Sequence, residues 1–367
     1  MSEVQLNYPN RILLITDLYP IKDEPDIPLA IENFALALME FGLKITVIRP
    51  NFLINTIIRK HKIYQQGEYE RKGIKIFNRN FFLPFIFNNF YPDDKYDLII
   101  SHMPSGHIYA DLLNKKLNLP RISVVHQSDY RVLYDRKYSF YFKNRLINAL
   151  NNSDIIGARN SNLKNKLNLD FTLPSFVDKE DIIKTKEPNY KLKLITISRL
   201  IKRKNIDMVI NALKDLKRDF EYEIYGIGPE KRYLEKLINK YELQDKIKLK
   251  GRINHHVINH KLDKSDIFIL PSKDETFGLC YIEAMARGLI TIAKKSESMD
   301  DIITNNFNGF LVNNSFDIKN ILENIDYENM SEIMKNTIEN IKNYEKEKII
   351  SKYLEIMQNC VAGTFEK

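Results

Sequence analysis

The residues that could do chemistry are mostly carboxylates and fixed cations placed where strands give way to helices. In Asp266–Gly288, DIFILPSKDETFGLCYIEAMARG, an apolar strand ends at Pro271-Ser272, and an acidic loop leads through Thr276-Phe277-Gly278 into a helix. Glu275 stands at the mouth of that helix and Glu283 about two turns in, with seven residues between them. Carboxylates at such a junction can accept pairs of sugar hydroxyls. The amides of Phe277, Gly278 and Leu279 can meet phosphate or sugar oxygens. Arg199, Lys202, Arg203 and Lys204 follow the strand LKLITIS and open the next helix. Fixed cations beside free backbone N–H groups make an anion site. Gly226-Ile227-Gly228-Pro229 follows another strand and lets backbone approach a ligand closely. His102 and His126 stand at strand ends in the first half. Taken singly, each has a plainer reading: dipole-complementing acids, a solvated basic turn, an ordinary glycine turn, a structural histidine.

The elements that must hold these residues alternate regularly. Arg11–Thr16, Lys44–Ile48, Leu98–Ser101 and Ile122–His126 read as buried strands, with helices over 29–41 and 108–117. A second series runs through strands Leu192–Ser198, Tyr222–Tyr225, Ile247–Lys250 and Ile267–Leu270, with helices over 206–216, 231–241 and 279–286. This β-α-β rhythm predicts doubly wound parallel sheets, and functional residues just after strands. The stretch 173–190 has the composition of a linker. The expected domains are 1–172 and 173–344, with a helix about 345–362 able to pack back on the first.

With 367 residues the chain exceeds one ordinary core and suits two. No stretch approaches the roughly 18 consecutive apolar residues of a membrane-spanning helix. The short acidic start, Met-Ser-Glu-Val-Gln, has no signal-peptide character. The two cysteines, Cys280 and Cys360, form neither a disulfide framework nor a zinc site, so a reducing cytoplasm is the expected location. Net charge is +8, and the excess lies early: 23 Lys and Arg against 17 Asp and Glu in residues 1–177, 33 against 31 in the rest. Such a bias favours polyanions, although Lys-, Asn- and Ile-rich usage also accounts for it. No nucleic-acid-binding motif is present, so no nucleic-acid partner is expected.

The segment PS-x-x-E-x-FG-x-x-x-x-EAMA-x-G resembles the signature of family-4 retaining glycosyltransferases. Its flanks agree in order: Ser198-Arg199-Leu200 with Lys204, Tyr225-Gly226-Ile227-Gly228-Pro229, Leu249-Lys250-Gly251 and Phe307-Asn308-Gly309-Phe310-Leu311. The resemblance covers about residues 190–312. The first half matches more loosely, at Gly42–Pro50, Ser101-His102 and Val125–Asp129.

The resemblance implies a GT-B fold of two Rossmann-like domains and a nucleotide-diphosphate-sugar substrate, UDP favoured over GDP, with no cofactor and no metal. Arg199 and Lys204 would neutralise the leaving diphosphate. Gly226, Gly228, Ile253, Phe277, Gly278 and Leu279 would line the donor site. Glu283 would hold the ribose, Glu275 would position the sugar, and His126 would contact the sugar near the reacting carbon. The sequence departs from the family at Asp26-Ile27-Pro28, where proline has no N–H for phosphate. It departs again at Pro174–Asp178 and at Glu297-Ser298-Met299-Asp300-Asp301, which lacks both glycines of the family's turn. Those changes motivate an alternative, a non-catalytic glycan-binding or partner-stabilising subunit, against which Arg199, Lys204, Glu275 and Glu283 weigh. A sugar-nucleotide epimerase on the same fold is disfavoured by the glutamate pair. The expected acceptor is a glycan or a polyprenyl-diphosphate-linked one.

Residues 79–92, RNFFLPFIFNNFYP, hold six aromatics and no acid, after Arg59, Lys60, Lys62, Arg71, Lys72 and Lys75. That combination suits the headgroup zone of an anionic membrane, or a buried aromatic cluster. The first reading expects a peripheral protein on the inner membrane face.

Overall fold

The computed structural model describes residues 9–21, 29–52, 66–81, 92, 94–164, 167–254, 257–275, 278–296 and 298–365. The chain divides into two compact units, Met1–Pro174 with Ile349–Lys367, and Ser175–Lys348. Each is a Rossmann-like α/β unit.

The first unit is built on an eight-stranded sheet: β1 (Arg11–Ile15), β2 (Lys44–Phe52), β3 (Gly67–Arg71), β4 (Ile74–Phe81), β5 (Leu98–His102), β6 (Arg121–Val125), β7 (Ile155–Ala158) and β8 (Phe171–Thr172). Their order is β3-β4-β2-β1-β5-β6-β7-β8. The central strands are near-continuous apolar runs because helices cover both faces of a parallel sheet. Ile12 to Ile15 and Leu98 to Ile100 are buried throughout. The covering helices are α1 (Ala30–Glu40), α2 (Met103–Leu117), α3 (Gln127–Tyr134) and α4 (Phe140–Asn151). The last helix, α5 (Lys346–Ala362), sets Tyr353 against the Phe34 ring at 4.8 Å, and its hydroxyl donates to the Leu173 carbonyl at 3.3 Å.

Three features differ from the sequence reading. Helix α2 begins at Met103, not at Ile108. Pro104 sits in its first turn, where a missing N–H costs nothing. Helices α3 and α4 fill 127–151, a stretch the periodicity left unassigned. The sheet also carries an antiparallel edge strand, β3, paired with β4. The two join through Lys72 (φ 50°) and Gly73 (φ 77°). Positive φ at both central residues is the hairpin geometry usually signalled by Asn-Gly, and Lys-Gly disguises it.

That hairpin also revises the basic-aromatic surface. Arg71 and Lys72 both bind the buried Glu32 carboxylate, Lys72 at 3.1 Å. Arg79 and Lys75 pair with Glu68 at 3.1 and 3.7 Å. Phe81 is 4% exposed and lies with its ring 5.0 Å from Tyr109. Arg71, Arg79 and Phe81 are thus largely covered by the unit's own packing, while Lys72 and Lys75 stay 50% and 54% exposed. Phe82–Tyr91, with Arg59, Lys60 and Lys62, fall outside the described residues. Among the described residues no helix is long and apolar enough to cross a membrane.

The second unit has six parallel strands: β9 (Leu192–Ile197), β10 (Phe220–Tyr225), β11 (Ile247–Gly251), β12 (Ile267–Leu270), β13 (Ile290–Lys294) and β14 (Gly309–Val312). They lie in the order β11-β10-β9-β12-β13-β14. Helices α6 (Ile206–Leu213), α7 (Lys231–Lys240), α8 (Ile258–Asp263), α9 (Leu279–Ala286), α10 (Ser315–Asn324) and α11 (Tyr327–Ile341) accompany them; in chain order they precede α5, which closes the chain. Winding runs outward in both directions from the neighbours β9 and β12. The carboxyl ends of those two strands therefore form the topological switch point, where open α/β sheets place ligands.

Candidate functional site

Two loops meet at the switch point of the second unit. After β9 the chain turns through a short 3-10 turn, Lys202–Lys204, closed by Asn205 in the left-handed region at φ 50°. After β12 it runs through Pro271–Glu275. Asn205 Nδ2 donates to the Pro271 carbonyl at 2.8 Å, and the Lys273 N–H to the Arg203 carbonyl at 2.8 Å. This lacing brings Lys204 Nζ onto Glu275 Oε2, although the two residues are 71 apart in sequence. Arg203 Nη1 lies at 3.4 Å from the same oxygen, and Ser272 Oγ donates to it at 3.1 Å. Both side chains of the pair are nearly buried, Lys204 at 9% and Glu275 at 14% exposure. Burial pushes the Glu275 carboxyl upward, but Lys204, Arg203 and Ser272 together outweigh it, and the group sits below its ordinary value.

Arg199 stands at the start of the same loop, exposed. Its backbone is held because Ser198 and Leu200 donate to the carbonyls of Tyr225 and Ile227, both at 3.0 Å. The glycine turn lies directly against that loop. A Cβ on Gly226 would come 1.8 Å from the Ser198 carbonyl oxygen, and one on Gly228 would come 2.2 Å from that of Leu200. These two glycines therefore permit loop-on-loop packing, whatever else they approach.

Helix α9 starts from Gly278, at φ 73°, where a Cβ would meet the Tyr281 ring at 2.6 Å. Tyr281 fastens the helix by donating to the Leu270 carbonyl at 2.6 Å. Leu279 and Ile253 are partly buried against one apolar cluster, and Glu283 is partly buried one turn into the helix. The Cys280 thiol is pushed up to about 12, first by burial, and stays protonated. Phe277, Pro28 and Glu297 lie outside the described residues. Asp300, in the stretch that replaces the family's glycine turn, accepts the Ser296 N–H at 2.9 and 3.0 Å. The Asn308-Gly309 turn is a framework feature: the Asn308 side chain caps Thr304 and binds the Ile302 carbonyl.

In the first unit, His126 precedes α3 and caps it. Its ring accepts an N–H from Asp129, while Asp129 Oδ2 accepts the His126 N–H at 2.7 Å. His126 Nε2 faces His102 Nδ1 at 3.0 Å. With Nε2 turned to His102, the accepting nitrogen is Nδ1, so neutral His126 carries its proton on Nε2 and donates it to His102. His102 then carries its proton on Nε2. Burial, and then the Arg159 charge, push His126 down to about 3, and burial holds His102 well below the usual histidine range. Both nitrogens of His126 are thus engaged within its own unit.

Sequence reasoning did not find what lies behind this cap. Asp129 Oδ1 faces His107 Nε2 at 3.4 Å, and both side chains are fully buried. His107 Nδ1 meets Ser101 Oγ at 2.8 Å, followed by Ser123 at 3.0 Å and Ser153 at 2.6 Å. Burial raises Asp129 well above and lowers His107 well below their ordinary values. The one available signal was that His102 ends β5 and that His107, His126 and Asp129 follow β5 or β6 within a few residues.

The chain resembles known proteins over both units. The family profile of group 1 glycosyl transferases matches residues 177–347. An uncharacterized glycosyltransferase of Methanocaldococcus jannaschii is 31% identical over 261 residues, 68% of this chain and 70% of that protein. The putative colanic acid biosynthesis glycosyltransferase WcaL of Salmonella typhimurium is 33% identical over 136 residues, 35% of this chain and 34% of WcaL. The solved structure of Anabaena HepE in complex with UDP superposes with a TM-score of 0.70 over 95% of this chain and all of that one, at 16% identity, a likeness of fold.

Two outcomes are expected. Because the folded value of Glu275 lies below its ordinary 4.5, its pairing stabilises the protein above that pH and is lost as pH falls through the lowered value. The stability difference between wild type and Glu275→Gln, from urea unfolding, should be flat near neutrality and shrink in acid; a pH-independent difference would contradict the pairing. In the first unit, nitrogen-15 NMR should show His102 and His126 as neutral Nε2–H tautomers from pH 5 to 8. Titration of either within that window would refute the assignment.

Proposed function

The chain belongs to the group 1 glycosyl transferases, and on that premise we propose that it is a retaining enzyme of the family-4 type, with Glu275 and Glu283 as its E-x7-E pair. The observation that carries this reading is the junction of Lys204 with Glu275 at the switch point, beside exposed Arg199. The substrate is a nucleotide-diphosphate sugar, UDP favoured over GDP; the like-folded Anabaena protein holds UDP. Arg199 and Lys204 take the charge that grows on the leaving diphosphate. As phosphate draws Lys204, Glu275 is released to accept sugar hydroxyls. Glu283 accepts from the ribose, and Gly278 and Leu279 offer the first amides of α9. His126 is the first unit's candidate for the donor sugar, as the resemblance implies.

The bond between the anomeric carbon and the diphosphate oxygen breaks, and the acceptor oxygen bonds to the same face. The acceptor's proton passes to the departing phosphate, so configuration is retained. Protein cations carry out the charge neutralisation, and the reaction needs no divalent metal. The acceptor is a glycan or a polyprenyl-diphosphate-linked one, in surface polysaccharide synthesis on the cytoplasmic side; WcaL and the amylovoran biosynthesis glycosyltransferase AmsK of Erwinia amylovora are similar over about a third of the chain.

A panel of UDP- and GDP-sugars in thermal-shift assays identifies the donor by the rise in apparent stability. With that donor, Arg199→Ala and Lys204→Ala should each lower turnover by on the order of 100-fold. Glu283→Ala should mainly raise the donor KM, since ribose contacts are equal in ground and transition states. Chelator should leave turnover unchanged. Wild-type turnover in both cation variants would refute the diphosphate role.

A further inference from the structure

Four of the large apolar side chains exposed on this chain fall within fourteen residues: Tyr134 at 58%, Phe140 at 79%, Tyr141 at 47% and Ile147 at 43%. They lie on the end of α3 and on α4. The inner face of α4 is well used, with Leu146, Ala149 and Leu150 in the unit's core and Phe142 packed beside them. The outer face is the unusual one. Phe140, Asn144, Ile147 and Asn151 follow helical spacing and form one line along it. At about 3.6 residues per turn, Lys143 falls on one flank of that line, while Arg145 lies far round the helix from it. Arg131, Arg136 and Lys137 surround the same surface and are exposed. Between Tyr130 and Asn152 there are five Lys and Arg and a single acid at the surface, Asp135, since Asp129 is buried.

A protruding phenylalanine with lysines and arginines near it suits an interface that is apolar in its depth and anionic at its rim. The ring and Ile147 enter the acyl boundary, tyrosines sit at headgroup level, and Lys and Arg stems run along the apolar surface to reach phosphates. An acidic protein partner would use the cations but leave Phe140 exposed. A purely apolar partner would bury Lys143 without counter-charge. We infer that the outer face of α4, with the α3–α4 turn, docks on an anionic phospholipid surface. This surface, at residues 131–148, is separate in sequence from the stretch 79–92 in which the sequence reading places a membrane contact. Of the aromatic-rich stretch 79–92, Phe81 is core and Arg79 is paired with Glu68, and 82–91 lie outside the described residues.

The inference concerns where the acceptor's membrane is met, and its test needs no transfer activity. The full chain is floated with vesicles of phosphatidylcholine alone or mixed with phosphatidylglycerol, at low and high salt. Binding should require the anionic lipid and fall with salt. Phe140→Ser with Ile147→Ser should lower binding at least 10-fold. Each of Lys143→Gln and Lys137→Gln should lower it roughly 5-fold. Phe316→Ser, at a site equally exposed (67%) on the second unit, should leave it unchanged. Thermal melting and donor binding, unaltered in every variant, show that the fold survives. Equal binding to neutral vesicles, or unchanged flotation of the Phe140/Ile147 variant, overturns the inference. So does a wild-type dimer that this variant dissociates while flotation stays the same, since the face would then serve a second copy of the chain.

Discussion

An ion pair between two loops, Lys204 with Glu275, is the constraint on which the second unit's site depends. A nearly buried lysine and a nearly buried glutamate can persist there only together, since either alone would be a charge stranded in low dielectric. Their meeting also needs backbone support. Asn205 and Lys273 lace the two loops, Gly226 and Gly228 let a third lie on top, and Tyr281 ties the following helix to β12. The pair is a closed arrangement with an available exchange: a phosphate offers Lys204 an equivalent partner, and hydroxyls offer Glu275 one. Preorganised charge of this kind is what a reaction that expels a diphosphate requires.

The first unit solves its corresponding problem without charge. His126, His102 and His107 are kept neutral by burial, and hydrogen bonds fix which nitrogen of His126 and His102 carries the proton. A line of hydroxyls from Ser153 to Ser101 leads through His107 to Asp129, which caps the His126 backbone. The direction of His126 thus rests on groups that never reach the surface.

Much of this was legible in the chain itself, for physical reasons. Strands of a parallel sheet are covered on both faces, so Arg11–Ile15 and Ile267–Leu270 read as apolar runs, and helix 279–286 has the bounds its pattern predicts. Candidate residues were placed after strands, and Arg199, Lys204, Glu275 and His126 are there. The pairing of Lys204 with Glu275 was not legible, because it follows from β9 and β12 being neighbours, a fact of topology rather than of local pattern. The hairpin β3–β4 escaped because one strand is a half-exposed edge and its turn is Lys-Gly. Glu32, an acid at a buried helix position, has its partners Arg71 and Lys72 on the hairpin, about forty residues on, so no local pattern announces it. The histidine relay escaped for the same reason as the ion pair: its members come from three different segments.

The central claim is that a nucleoside diphosphate takes Lys204 from Glu275. Calorimetric titration of UDP, without sugar, into wild type, Glu275→Gln, Lys204→Met and the double variant tests it most directly. The account predicts tighter binding to Glu275→Gln, where Lys204 is no longer shared. It predicts weak binding to Lys204→Met, and equally weak binding to the double variant, because Glu275 acts on the diphosphate only through Lys204. Lys204→Met binding UDP as tightly as wild type, or Glu275→Gln binding it more weakly, would contradict the account.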